Sequence, residues 1–142
     1  MALEQTLCIL KPDAVEHKKT GAIVKQIEEA GFTIVSLGKV HLSRDDAQRF
    51  YTVHQDRPFF QELVEFMTRS AVVVAVLEKD NAVADYRTLM GATDPAKAQE
   101  GTLRKAFGTD VGENAVHGSD SIENAQREID FFATFKVALH AK

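Results

Sequence analysis

The order of apolar and polar residues divides the chain into short alternating segments. Leu3 to Leu10 reads as a strand and ends at Lys11-Pro12-Asp13, where proline lacks a ladder donor and pushes Lys11 toward extended backbone. Ile23, Val24 and Ile27 recur at helical spacing, with Thr20 expected as the N-cap and Gly31 as the stop. Phe32 to Leu42, rich in Val, Ile and Thr, predicts a second strand. Ser43 and Asp46 make a capping-box pattern with Asp in place of the usual Glu or Gln, and Ala47, Phe50, Tyr51 and His54 behind it share one helical face. Pro58 is expected to open another helix, whose core stripe is Phe60, Leu63, Val64 and Met67. Ala71 to Leu77 is apolar at every position, the mark of a central strand covered on both faces. A helix from about Asn81 to Met90 stops at Gly91. Gly91 to Gly101 reads as a structured loop, Thr102 to Phe107 as a helical turn and Asn114 to His117 as a short strand. Asp120 with Glu123 is expected to cap the last helix, with Ile122, Ala125, Ile129 and Phe132 as its buried stripe.

The order β-α-β-α-α-β-α-β-α predicts an α/β (α+β) sandwich, with helices laid over a small, mainly antiparallel sheet. No repeat or linker-like stretch interrupts it, so residues 1–142 are expected to form one domain. A formal net charge of −4 without a run of like charge argues against a general nucleic-acid or anionic-membrane binder. An anionic substrate stays possible only if cations gather locally. Cys8 is the single cysteine, which excludes an internal disulfide and a CxxC metal knuckle and suits a small apolar side chain in a strand. Met1 to Thr6 lacks the pattern of a signal peptide, and Ala71 to Leu77 is too short to span a bilayer, so the expected location is the cytoplasm.

Two common nucleotide-binding patterns, G-x-x-x-x-G-K-[ST] and G-x-G-x-x-G, are absent. The segment Asn114-Ala115-Val116-His117-Gly118-Ser119-Asp120-Ser121 is the informative one. It puts a histidine at the end of an apolar strand and at the mouth of a helix N-terminus, where amide dipoles favour phosphate. Neutral imidazole is nucleophilic near neutral pH and carries a covalent group when an acceptor holds its second nitrogen. Glu128, two turns along the following helix, is a candidate acceptor. The plainer alternative is a histidine that only hydrogen-bonds at a strand end.

Five segments resemble the nucleoside diphosphate kinase family in order and spacing: Lys11-Pro12-Asp13-Ala14-Val15, Arg57-Pro58-Phe59-Phe60, Met90-Gly91-Ala92-Thr93-Asp94-Pro95, Gly101-Thr102-Leu103-Arg104 and Asn114 to Ser121. The resemblance implies a ferredoxin-like β-α-β-β-α-β sandwich with a four-stranded sheet. It also implies a phosphotransferase that carries the γ-phosphoryl of ATP to a nucleoside diphosphate by a ping-pong route through phospho-His117. Glu128 would orient the imidazole, and Ser119 would hydrogen-bond within the site. Lys11, Arg87, Thr93 and Arg104 would hold phosphates and ribose, Asn114 the sugar hydroxyl. Tyr51 would orient Lys11, and His54 would reach a phosphate. Phe59, four residues before Leu63, would stack on the base opposite Val111, a contact that reads a π-face and discriminates weakly among bases. Mg²⁺ would sit mainly on the nucleotide phosphates, with Asp120 a candidate partner through water. A homo-oligomer, tetramer or hexamer, is also implied. The chain departs from the family pattern at Arg69-Ser70-Ala71, where Ser-Gly-Pro is usual, and in its short C-terminal tail, Thr134 to Lys142.

Two other readings differ in class. A phosphohistidine relay protein would use His117 but leave Phe59, Arg87 and Arg104 idle. A ligand-sensing or RNA-binding domain would need aromatics on the sheet face or a basic stripe, and the strands supply mainly Val, Ile and Leu.

Overall fold

A computed structural model of the chain describes residues 3–133. The C-terminal tail, 134–142, lies outside the described residues. Strand β1 (Leu3–Leu10) leads through the short helix α1 (Pro12–Glu16) into α2 (Thr20–Glu29) and β2 (Thr33–Val40). Helices α3 (Arg44–Phe50) and α4 (Phe60–Thr68), joined by a 3₁₀ turn at Thr52–His54, precede β3 (Val72–Asp80) and α5 (Ala82–Met90). A second 3₁₀ turn (Pro95–Lys97), helix α6 (Leu103–Phe107), strand β4 (Val116–Gly118) and helix α7 (Ile122–Ala133) complete the order.

The strands form a four-stranded sheet in the order β2-β3-β1-β4, and each neighbouring pair is antiparallel. This is the ferredoxin-like α+β sandwich. Alternation along β1 sends Cys8 and Leu10 to one face, into a core with Ile23 and Ile27 of α2 and Tyr86 and Met90 of α5. Leu7 and Ile9 face the other way, into a core with Phe50 of α3 and Val64 and Met67 of α4. Both faces of the central strands are therefore covered where they cross the core, and there the sequence is apolar at every position, Leu7–Leu10 in β1 and Val72–Leu77 in β3. Among the described residues no helix is long and apolar enough to cross a membrane.

Several boundaries differ from expectation for local reasons. Thr20 is the first helical residue of α2, and Lys19 occupies the N-cap without a side-chain cap. Pro58 falls in a turn, and α4 begins only at Phe60, with Phe59 as its N-cap. Helix α7 is capped by Ser121, whose Oγ accepts the Asn124 N–H at 3.1 Å; Asp120 instead accepts from the Asn124 side chain. Ile122 at the first position of α7 is 62% exposed, so the buried side of that helix starts at Ala125. The Ser43/Asp46 capping box is formed as expected, with both reciprocal bonds present.

Arg69-Ser70-Ala71 makes its turn through charge. Arg69 donates to both Glu16 oxygens at 2.9 and 2.7 Å and to Glu113 at 3.3 Å, lies 4.8 Å from the centre of the Phe66 ring, and Ser70 Oγ donates to Glu16 at 2.5 Å. These bonds from Arg69 and Ser70 hold the Glu16 carboxyl at about 2, below its ordinary 4.5. A depressed carboxylate contributes stability above its unfolded value that is lost as pH falls toward its folded one. Arg69→Ser should therefore lower stability at neutral pH by about 1 kcal/mol or less, since the groups are partly exposed. Thermal melts of variant and parent should converge as the pH drops to about 2. Parallel melting curves across that range would remove the network from the account.

Candidate active site

The residues named from the sequence come from both ends of the chain and meet at one cleft of ≈ 880 Å³. Its lining includes Lys11, Tyr51, His54, Phe59, Leu63, Arg87, Thr93, Arg104, Val111, Asn114, His117, Asp120 and Glu128, leaving only Ser119 of the expected set outside the wall. A cavity of this size is ample for a nucleotide.

His117 stands in the middle of β4, opposite Ile9 of β1. Gly118 beside it lets β4 lie against α5, because a Cβ there would come within 2.7 Å of both the Tyr86 ring and Met90. The His117 Nε2 is 3.0 Å from Glu128 Oε1 on α7. Ser119, fully buried, donates to that same oxygen at 2.7 Å and accepts the Leu7 N–H at 3.3 Å. Burial alone would raise the Glu128 carboxyl; the hydrogen bond and charge of His117, the Ser119 hydroxyl and the Arg127 charge outweigh it and hold the carboxyl below its ordinary value. Glu128 is thus an anion, and it takes the proton-bearing Nε2. The neutral tautomer then leaves the lone pair on Nδ1. Phe50, missed as a site residue, meets the imidazole edge-on at 5.8 Å and fixes its plane from the other side. Its place on the α3 core face gave no sign of that contact.

Cations line the same cleft. Arg104, only 9% exposed, donates to the Gly91 carbonyl at 3.1 Å and the Val116 carbonyl at 2.9 Å, which aims its fork between α5 and β4. Gly91 has φ 86° and ψ −177°, backbone that only glycine adopts freely. Arg87 and Thr93 are exposed at the cleft rim. Lys11 directly follows β1, and its Nζ donates to Asn114 Oδ1 at 2.9 Å. The ammonium is held by Asn114, and the Tyr51 ring, which lines the same cleft, lies 6.4 Å from that of His54, nearly parallel to it. Burial and the neighbouring Arg104 charge lower the Lys11 amine to about 8, against the opposing pull of Asp13. Asn114 Nδ2 also donates to the Thr93 carbonyl at 3.1 Å, so one amide proton and one lone pair of this side chain remain for another partner.

The apolar end of the cleft is open. Phe59 is 44% and Val111 56% exposed, and both line it, with Leu63 half-buried behind. Asp120 is exposed at the rim, and its carboxyl is held low by the Asn124 side chain and, against a small burial effect, by the Arg87 charge. Among the described residues no group of three His, Cys, Asp or Glu side chains could hold a metal ion.

The chain and its architecture have close counterparts. The family model for nucleoside diphosphate kinase matches residues 4–137. This chain belongs to the nucleoside diphosphate kinase family. It is 55% identical over 139 residues to the nucleoside diphosphate kinase of Sorangium cellulosum, covering 97% of this chain and 96% of that one. The Methylobacterium radiotolerans protein of the same name is 56% identical over 139 residues, with 97% and 99% covered. A crystal structure of the Aquifex aeolicus nucleoside diphosphate kinase superposes with a TM-score of 0.91 at 46% identity, covering 95% of this chain and 96% of that chain. Membership makes the chain a phosphotransferase acting on nucleotides.

Proposed function

We propose that the chain transfers the γ-phosphoryl group of ATP to a nucleoside diphosphate by way of phospho-His117. The observation that carries this reading is the pairing of His117 Nε2 with an ionised, doubly anchored Glu128 at 3.0 Å, on the wall of a cleft that also holds Lys11 and Arg104.

In the first half-reaction the Nδ1 lone pair attacks the γ-phosphorus. The Nδ1–P bond forms as the bond from phosphorus to the β,γ-bridging oxygen breaks, and ADP leaves with that electron pair. Glu128 stabilises the positive charge that grows on the imidazole. In the second half-reaction a terminal oxygen of the acceptor diphosphate attacks the same phosphorus and frees the imidazole. Charge spreads over the equatorial oxygens in each transition state, and Lys11, Arg104 and Arg87 are the groups to receive it. Asn114 has amide capacity left for a sugar hydroxyl, Thr93 lies next to it at the rim, and His54 faces the same space. Phe59 and Val111 would take the base between apolar surfaces, so purine and pyrimidine, ribose and deoxyribose nucleotides should all serve.

A Mg²⁺ ion would fit this donor set mainly as a guest of the phosphates, because no group of three carboxylate, His or Cys side chains among the described residues could hold it alone; Asp120, an ionised carboxylate at the rim, is a candidate partner through water. Bound there, it would neutralise phosphate charge. We also infer a homo-oligomer, tetramer or hexamer. The edge strand β2 presents Val35 and Leu37, 50% and 46% exposed, a surface that a second copy would cover. A cytoplasmic location accords with substrates of this kind.

The test is direct. Purified protein given ATP and dTDP should form dTTP without any second protein, and γ-labelled ATP alone should leave an acid-labile, base-stable label. Dependence on a protein acceptor would favour a relay role, and binding without turnover a sensing role. A sizing column decides the assembly.

A further inference from the structure

Asp13 has no part in the transfer scheme, yet it is 1% exposed, where a carboxylate is costly unless its oxygens are engaged. Its Oδ2 accepts the Ala115 N–H at 3.1 Å, while Oδ1 is buried and has no hydrogen-bond partner among the described residues. Burial raises this carboxyl, against its own backbone N–H, the Lys11 charge and the Ala115 N–H, and Ala115 supplies the one amide that ties it to a distant segment. That amide belongs to a residue with φ +76°, a left-handed conformation in which a side chain crowds the backbone. The Val116 N–H closes onto the Asn114 carbonyl at 2.9 Å across Ala115, a three-residue turn of the rare, strained hand. From the other side the Lys11 N–H donates to the Ala115 carbonyl at 2.8 Å. Ala115 is thus clamped at both its polar groups by the Lys11-Pro12-Asp13 segment. Immediately before it stands Asn114, which holds the Lys11 ammonium, and after it come Val116 and His117.

We propose that Asp13 is a positioning residue, whose carboxylate pins the strained Ala115 turn and so sets Lys11 and Asn114 against His117. The assignment rests on the reading of those three residues as phosphoryl-transfer groups. Asp13 itself touches no substrate. Its work is to keep a backbone conformation that alanine would otherwise leave, and sites that use strained backbone need surroundings that hold it. Because the turn sits between two groups of the site, relaxing it moves them relative to each other.

Three variants test this. Asp13→Ala removes the acceptor and should lower kcat/KM by about 10- to 100-fold, the scale of a misplacement near 1 Å, with KM for nucleotide raised and kcat reduced. Asp13→Asn keeps an oxygen for the Ala115 N–H and, assayed well below the Lys11 value of about 8 where that amine stays charged, should remain within about threefold of the parent, since there the bond and not the charge is at work. The double variant Asp13→Ala/Ala115→Gly should recover at least about threefold over Asp13→Ala, because glycine takes positive φ without a clash. Should Asp13→Ala fail to fold, Asp13→Asn, judged against the parent alone, still decides: a loss of about tenfold or more there overturns the proposal. An Asp13→Ala enzyme as active as the parent, an asparagine variant as poor as the alanine one, or a double variant with no recovery overturns the proposal. Labelling with γ-labelled ATP separates it from the reading beneath it: a parent protein that takes no label on His117 sinks both. A labelled parent beside an unimpaired Asp13→Ala sinks only the role of Asp13.

Discussion

His117→Ala should abolish exchange between ATP and dTDP, lowering turnover by about 10⁵-fold or more, the scale of losing a covalent nucleophile. No label from γ-labelled ATP should survive on the variant. A loss that large corresponds to about 7 kcal/mol of barrier. Folding should change far less. The imidazole makes one hydrogen bond, and Glu128 Oε1 keeps the Ser119 hydroxyl at 2.7 Å when the ring is gone, while its other oxygen keeps Arg127 at 3.6 Å. Truncation then costs on the order of 1–3 kcal/mol of stability, mostly lost packing against Phe50 and a loosened anion. Melting and activity thus report different quantities, and a folded, inactive protein is the expected outcome. Glu128→Gln should be milder, because glutamine still accepts from Nε2 but no longer offsets imidazolium charge. A His117→Ala enzyme that still labels would place the nucleophile elsewhere.

How much of this was legible depends on whether the signal was local. The central strand β3 is legible because burial on both faces forces a continuous apolar run, and the Ser43/Asp46 box because its two bonds span three residues. Helix α1 did not, since five residues opened by Pro12 carry no periodic stripe. Ile122 falls on the expected stripe yet is exposed, because hydropathy says nothing of which end of a helix protrudes. His117 and Glu128 could be paired in advance because a strand end and the next helix are close in sequence. Phe59, Val111, Arg87 and Thr93 had no such local mark; only resemblance to the family drew them together. The hold of Asn114 on Lys11, between residues 103 apart, and the strained Ala115 beneath it belong to tertiary structure alone. For the same reason the Lys11-Pro12-Asp13 segment gives Asp13 no role by its sequence alone.

Raising the pH above about 8 should lower kcat/KM toward a tenfold loss per unit, because the Lys11 amine, held to about 8 by burial and Arg104, sheds its proton there. In kcat the same limb should lie higher, since a bound phosphate favours the ammonium. Stability must move the other way. The folded value lies below the ordinary 10.5, so between the two the unfolded chain binds more protons, and stability rises with pH across that window. Below about 8 the buried ammonium is a cost that folding carries in full. Opposed trends in rate and melting temperature over the same interval are a signature that general alkaline unfolding cannot produce, since unfolding lowers both. The buried Cys8 thiol, pushed up to about 12, and the Tyr51 phenol, raised further by burial and the Glu128 charge, stay out of that range. Lys11→Ala should cost about 10²–10³ in kcat, as when one preorganised donor to transition-state charge is removed. Lys11→Arg keeps a charge that does not titrate here, so it should give a lower but flat profile up to pH 10. If its activity fell above pH 8 in parallel with the parent, the alkaline limb would belong to another group, and Lys11 would lose its place as the titrating cation of the site.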